Sequence, residues 1–482
     1  MRLARLLALP VFAALLASAC GPASPVPGVT TILPAATSAP IPGPARMPTP
    51  SLSPAPSPTP LILPMPSPTP PPSLGVDPAL LRGLSLQVWH AFAGPAYDLF
   101  TRQVAQFNAE NEWGMLVNPA GYGDYTSLFE AVNTALASGQ NPELVAALPE
   151  QILAWDATGV VVDLNPYLSD PQWALAADAL SDFPEVFYAQ DTVNGKKLGL
   201  PAQRSARFIY YNQTWAHELG FNSPPGTPDD FRRQACAANT SFRTDADPKN
   251  DGYGGWIVDT AWQTTYSWLL AFGGGVTDGN AYTFRTDPNL AALQFAKNLF
   301  DNHCAWLSTE PTPFDSFARR SALFVSADLG GLPAEMESMR RLKNSDEWTV
   351  IPFPGPQANA LVAYGSSYSL LRSSPEKQLA AWLFARWLLS PESQSQWVEA
   401  TGLFPLRNSV LGMIQPYRQA SPQWEAAVGF LPLAQAVPQL ASWRKVRYVL
   451  QDGVTVLFQN NLSMDKLPSI LDEMDSLAQE IK

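Results

Sequence analysis

From Leu84 onward the hydrophobic pattern switches repeatedly between a period of two and a period of 3.6, and this alternation limits the folds open to the chain. "GLSLQVWHAF" puts Leu84, Leu86 and Val88 on one face and Ser85 and Gln87 on the other, the signature of a strand. "GPAYDLFTRQVAQFNAEN" follows, with Pro95 suited to a first helical turn and Tyr97, Phe100, Val104 and Phe107 on one helical face. "WGMLVNPAGY" reads as a second strand. "YTSLFEAVNTALASGQNPELVAAL" reads as a helix striped by Tyr125, Leu128, Phe129, Val132 and Leu136, ended by Gly139, then a third strand, "ELVAAL". Parallel strands need long crossovers and helices supply them, so the pattern predicts an α/β fold with parallel sheets flanked by helices.

The alternation runs on. "GLPAQRSARFIYYNQTWAHELGF" is a strand entering a helix, and "SALFVSADLGG" a strand and turn. "AYGSSYSLLRSSPEKQLAAWLFARWLLSPESQSQWVEATG" is a strand followed by two helices. Ser373 and Glu376 have capping-box spacing with Pro375 in the first turn, and the second helix opens at Ser390-Pro391 and stops at Gly402. The last segment places Leu467, Ile470, Leu471, Met474 and Leu477 on one face of a helix. At 482 residues the chain is too long for one ordinary domain, so two globular units are expected.

The N-terminus is different in kind. Arg2 and Arg5 precede an apolar run from Leu6 to Ala17 and then small residues, the pattern of an export signal. The run is shorter than the roughly 20 residues a membrane span needs. Ala17-Ser18-Ala19-Cys20 resembles a bacterial lipobox, with Ala17 where an aliphatic residue is usual, so Cys20 is the expected lipidation site. Residues 21–73 hold 19 of the 48 prolines, and Arg46 is their only charge. Such a tract cannot bury a core and samples extended polyproline II. At about 3.1 Å per residue it reaches roughly 160 Å, enough for a tether. The expected organisation is a signal peptide at 1–19 and a lipid-anchor cysteine with a proline-rich linker at 20–83.

A net charge of −12 and no Lys/Arg cluster argue against nucleic acid, which binds through clustered cations. Fifteen Trp, 14 Tyr and 23 Phe in a chain with only 15% charged residues fill cores and can also stack on sugar rings.

From about Leu84 to Lys482 the chain resembles the extracellular solute-binding proteins of family 1, the receptors of ABC importers for maltodextrins and glycerol phosphates. The stretches that carry this, in the family's order, begin with "LQVWHAFAGPAYDLFTRQVAQFN", "YTSLFEAVNTALASGQNPELV", "ILAWDATGVVVDLNPYL" and "GKKLGLPAQRSARFIYYNQTWAHELGF". Later come "PPGTPDDFRRQACAAN", "TTYSWLLAFGGGV" and "AYGSSYSLLRSSPEKQLAAWLFARWLLSPESQSQWVEATGLFPLRNSV". The resemblance implies the two-lobed type II fold of periplasmic binding proteins, each lobe a mainly parallel sheet flanked by helices. It implies a first lobe of 84–198 plus 365–405 and a second of 199–364 plus 406–482. Crossings fall near "LGLPAQRS", "LVAYGSSYS" and "TGLFPLRNS", where Gly and Ser permit hinge rotation. It also implies a monomer without cofactor or metal that hands a solute to ABC permease subunits, meets the membrane only through its lipid, and performs no catalysis.

Ligands of open parallel sheets bind beyond the C-terminal ends of the strands. That rule selects Trp89 and His90, Tyr122 and Tyr125, Pro149 and Glu150, then Gln203, Arg204 and Ser205 on the crossing. It continues with Ser326, Asp328 and Gly330, with Tyr364, Ser366 and Tyr368 on the return, and with Arg407 at the last crossing. Trp256 and Trp262 lie where the family commonly places a stacking aromatic. A saccharide suits this set, since rings pack on its C–H face and carboxylates, amides and guanidiniums bond its hydroxyls. Arg204 or Arg407 would instead meet the phosphate of a glycerol phosphate or glycerophosphodiester, the alternative within the family.

With Cys20 set aside, Cys236 and Cys304 form an even pair in an exported chain, which favours a disulfide in the second lobe. A secreted glycoside hydrolase is the rival of another class and needs two carboxylates across a glycosidic bond. "AHELGF" lacks the second His of a zinc motif, no G-x-S-x-G is present, and His90, His217 and His303 are widely scattered. Asp245, Asp247 and Asp251 resemble part of a calcium loop, but Ile257 stands where its Glu belongs, so an Asx-rich turn is expected.

Overall fold

The computed structural model describes residues 74–481, all within one unit, Pro68–Lys482. The signal, Cys20 and the tract to Ser73 lie outside the described residues.

Two sheets organise the chain. The first has the order Leu116–Gly121, Ser85–His90, Leu144–Ala147, Ser367–Leu370, Leu200–Pro201. Its first three strands are parallel, and Ser367–Leu370 runs antiparallel to both of its neighbours. The second has the order Ala305–Trp306, Trp256–Ile257, Phe324–Asp328, Ser205–Asn212, Leu361–Tyr364, Ala434–Ala436, with Trp348–Ile351 also paired to Ser205–Asn212. This sheet corrects the expectation of a mainly parallel one. Ser205–Asn212 is antiparallel to Phe324–Asp328, Trp348–Ile351 and Leu361–Tyr364. For Leu361–Tyr364 the cause is the crossing itself: the strand that carries the chain out of the first sheet runs against the one that carries it back.

Leu200–Pro201 pairs in the first sheet and Ser205–Asn212 in the second, so the chain passes from one sheet to the other over Ala202–Arg204. There the two interlobe strands are stapled together. Ala202 N and Gln203 N both donate to the Ser366 carbonyl, at 2.9 and 3.2 Å. Gly365 sits at φ 155°, and a Cβ there would lie 2.0 Å from the Gln203 carbonyl oxygen, so only glycine lets the strands approach this closely. The third crossing docks on the first, Phe404 N donating to Arg204 O at 3.1 Å.

The helices follow their sequence punctuation. Pro95–Glu110 opens on Pro95, Tyr125–Ser138 is closed by left-handed Gly139, and Pro391–Thr401 is capped by Ser390 and closed by Gly402. Two details differ. The cap of Pro375–Leu388 is Ser374, whose hydroxyl accepts from Lys377 N, not Ser373. In Leu467–Glu480 the buried stripe ends on Ala478, and Leu477 is exposed.

Cys236 and Cys304 are bonded, Cα to Cα 4.3 Å, joining Pro228–Arg243 to the residue just before Ala305–Trp306. No described helix is long and apolar enough to cross a membrane.

Candidate functional site

The cleft-facing ends of the strands bring together a chain of rings and ion pairs. On the first-lobe side Trp89 tilts against Tyr122 at 5.2 Å. Tyr125, at the start of the next helix, accepts from Gln203 Nε2 at 2.8 Å, which ties the helix to the hinge. Phe129 lies one turn on. Gln151 donates to the Tyr125 carbonyl, and its neighbour Glu150 points a buried carboxylate across the cleft.

There Glu150 Oε1 meets Arg447 Nη1 at 2.7 Å. Arg447 and Arg444 belong to the second-lobe helix Trp443–Thr455, and Arg444 rests on the Phe129 ring at 4.8 Å. At this helix the two lobes therefore touch through one ion pair and one cation–π contact. Burial pushes the Glu150 carboxyl up, and the Arg447 charge pulls against it.

The Arg447 guanidinium lies 5.9 Å from the Trp262 ring, Trp262 stands edge-on to Tyr364 at 5.6 Å, and Tyr364 faces Arg207. Arg207 bonds Asp259, donates to Thr264 Oγ1 at 2.9 Å and lies 4.0 Å from Asp328. Burial works against that guanidinium, but Asp259, Tyr364 and Asp328 together hold its pKa above the usual value. Asp328 is half-exposed, and Gly330 in the following turn leaves room beside it. Arg447 and Arg207 sit beside carboxylates, whereas Arg444 meets only the Phe129 ring.

The structure sets several expected residues apart from this circuit. His90 is enclosed by Phe92, Phe100 and Tyr97, its Nδ1 accepts from Phe92 N, and burial lowers its pKa to about 4. Arg204 is buried and bonded to Asp191, Ser367 Oγ and the carbonyls of Gln203 and Ser366. It staples the hinge, and Ser366 does the same through its carbonyl. Tyr368 is core. Trp256 donates to Ser326 Oγ at 3.1 Å within a ring cluster of Phe231 and Trp268. Arg407 is taken up by Asp182 at 2.7 Å and the Leu389 carbonyl at 3.0 Å, at the third crossing.

Sequence reasoning missed Arg207, Asp259, Arg444, Arg447 and Phe129. A lone charge inside the apolar strand "SARFIYYN" was the available signal for Arg207. Asp259 follows a strand of only two residues, too short to show alternation. The basic run "WRKVR" marks the cleft helix but not its face.

Elsewhere, Asp245 accepts from Asp247 N and from Asn250 Nδ2, and Asp247 accepts from Lys249 N, so those carboxylates shape a turn. Among the described residues no cluster of three or more His, Cys, Asp and Glu could hold a metal ion.

Comparison with known proteins places this geometry. The family model for bacterial extracellular solute-binding proteins matches residues 102–431. A binding protein of Brucella abortus is 20% identical over 385 residues, 78% of this chain and 87% of that protein. Among solved structures, the sugar-binding protein MalE of Xanthomonas citri superposes with a TM-score of 0.71 at 19% identity, over 82% of this chain and 97% of that one. UgpB of Mycobacterium tuberculosis, in complex with glycerophosphocholine, gives a TM-score of 0.66 at 17% identity, over 82% and 98%. Both likenesses establish the two-lobed fold.

Proposed function

The chain belongs to the bacterial extracellular solute-binding proteins, and from that premise we propose that it captures a neutral saccharide between its lobes and delivers it to the permease subunits of an ABC importer. It does so without chemistry, as a monomer held to the outer face of the membrane by a lipid on Cys20. The family makes it an exported binding protein; solute, anchor and delivery are the reading.

One observation carries the choice of solute: two of the three guanidiniums that the cleft offers, Arg447 and Arg207, are already matched by carboxylates. Arg447 is held by Glu150 and Arg207 by Asp259 and Asp328. A phosphate would have to displace a carboxylate, and parting a buried pair costs about 3–5 kcal/mol. A sugar uses the pairs as they stand. Its hydroxyls donate to the free lone pairs of Glu150, Asp259 and Asp328, and Trp89, Tyr122, Tyr125, Trp262 and Tyr364 supply ring faces and hydroxyls. Gln203 adds an amide at the hinge, and Gly330 opens the mouth.

A glycerophosphodiester is the second reading, and Arg444 favours it. That guanidinium stands over Phe129 and forms no ion pair among the described residues. The two separate in a thermal-shift and calorimetric series of maltose, maltotriose and glycerol 3-phosphate against the full chain. Bound ligand raises Tm by mass action. Stabilisation by a sugar alone supports the first reading, and by glycerol 3-phosphate alone the second. Hydrolysis of a bound sugar, removed by Glu150→Gln and Asp259→Asn, would make the protein a glycosidase.

A further inference from the structure

A cavity of about 1330 Å3 lies away from this cleft. One wall is the segment from Pro184 to Thr192, which leads into the first-sheet strand Leu200–Pro201. The other is the segment from Leu431 to Leu440, which contains the second-sheet edge strand Ala434–Ala436. Both lobes thus line it. Gln439 ties them at its rim, donating to the carbonyls of Ala189, Gln190 and Thr192 at 3.2, 2.7 and 3.2 Å.

An aromatic partition separates it from the cleft. Trp262 and Tyr266 stand one turn apart on Trp262–Ala271, both against Trp443, at 5.5 and 5.8 Å. Trp262 belongs to the cleft circuit, and Tyr266 lines the cavity.

The lining mixes apolar residues with amides and hydroxyls and is nearly uncharged. Gln190 is 2% exposed, and neither its amide oxygen nor its nitrogen has a hydrogen-bond partner. A buried amide is costly to leave unpaired, but this one lies behind the cavity surface, and the accessible polar groups are those of its neighbours. Asn280, Asn408 and Tyr266 add further amides and a hydroxyl, above apolar Val186 and Leu431. Glu185 is the sole charged lining residue and there is no cation, so the cavity offers nothing to an anion. Ligand sites for drug-sized molecules run to about 1,000 Å3, so this space admits a disaccharide with its water.

We propose that this cavity is a second solute site, distinct from the cleft, that takes a neutral polyol or disaccharide. It goes beyond the reading of the cleft and does not depend on it.

The test is titration calorimetry of the full chain with maltose, trehalose and glycerol. Two cavity-filling variants, Ala436→Trp and Thr277→Trp, and one cleft variant, Arg447→Ala, are titrated alongside, with circular dichroism confirming that each folds. At least one probe should show two binding events. A filling variant that folds should weaken one of them about tenfold or more, equivalent to about 1.4 kcal/mol, and leave the other. Arg447→Ala should show the converse. A single event with all three probes, or a second event that survives both filled cavities, overturns the proposal. If Arg447→Ala changes neither event, the cleft reading fails while the cavity stands.

Discussion

Glu150→Gln is the most informative single change, because it removes a charge without removing volume. In the wild type Glu150 and Arg447 meet at 2.7 Å with side chains 3% and 13% exposed. Losing the carboxylate strands the guanidinium between the lobes, and breaking such a buried pair costs about 3–5 kcal/mol. The retained amide oxygen still accepts one hydrogen bond, so the lower end, about 3 kcal/mol, is expected. The pair joins the two lobes rather than two parts of one lobe, so the cost falls on closure. The affinity for the saccharide should drop about a hundredfold, since each 1.4 kcal/mol is tenfold. Arg447→Met and the double variant complete a cycle. Calorimetric Kd values should be non-additive by at least about 1 kcal/mol, as expected for groups in direct contact. Additivity within about 0.5 kcal/mol, or an unchanged Kd in Glu150→Gln, would refute the role of the pair in closure.

Other expectations follow from groups outside the cleft. Burial holds His90 near pKa 4 in the folded chain against the ordinary histidine value of 6.5, so the unfolded chain binds the extra proton first as pH falls. Its contribution should fall by about 3 kcal/mol between pH 6.5 and 4, and urea denaturation at both ends should find that loss missing in His90→Phe. Glu335 is buried with neither oxygen bonded, and burial, helped by Asp315, raises its pKa to about 9. Holding that proton costs more as pH rises from 4.5 toward 9, so the Tm difference between Glu335→Gln and wild type should grow in the variant's favour across that range; a constant difference counts against it. The Cys236–Cys304 bridge closes a 68-residue separation, and a Cys236→Ala, Cys304→Ala chain should lose about 4 kcal/mol by denaturant titration, a loss under about 1 kcal/mol contradicting the chain-entropy estimate. Cys20→Ser should release the protein into the medium; retention at the membrane would exclude the lipid anchor.

The sequence carried its punctuation openly. Pro95, Gly139, Ser390 and Gly402 bound their helices because backbone geometry admits few other residues there. The one-residue shift of the cap from Ser373 to Ser374 shows the limit, since two adjacent serines offer the same hydroxyl. At the candidate site, the strand-end rule selected Trp89, Tyr122, Tyr125, Glu150, Asp328 and Tyr364, which depend only on where a strand stops, and Trp262 came from the family resemblance. The arginines were not separable that way. Arg204 and Arg407 read like Arg207 and Arg447 along the chain, and only tertiary partners distinguish them. Asp191 and Asp182 hold the first two in the hinge and third crossing; Asp259 and Glu150 hold the others in the cleft.

The proposed neutral saccharide in the cleft is tested by mass spectrometry of the small molecule released when the full chain, purified without added solute, is denatured. A neutral saccharide is expected in equimolar amount from the wild type and in markedly smaller amount from Glu150→Gln. A phosphate ester released from both in equal amount would contradict it.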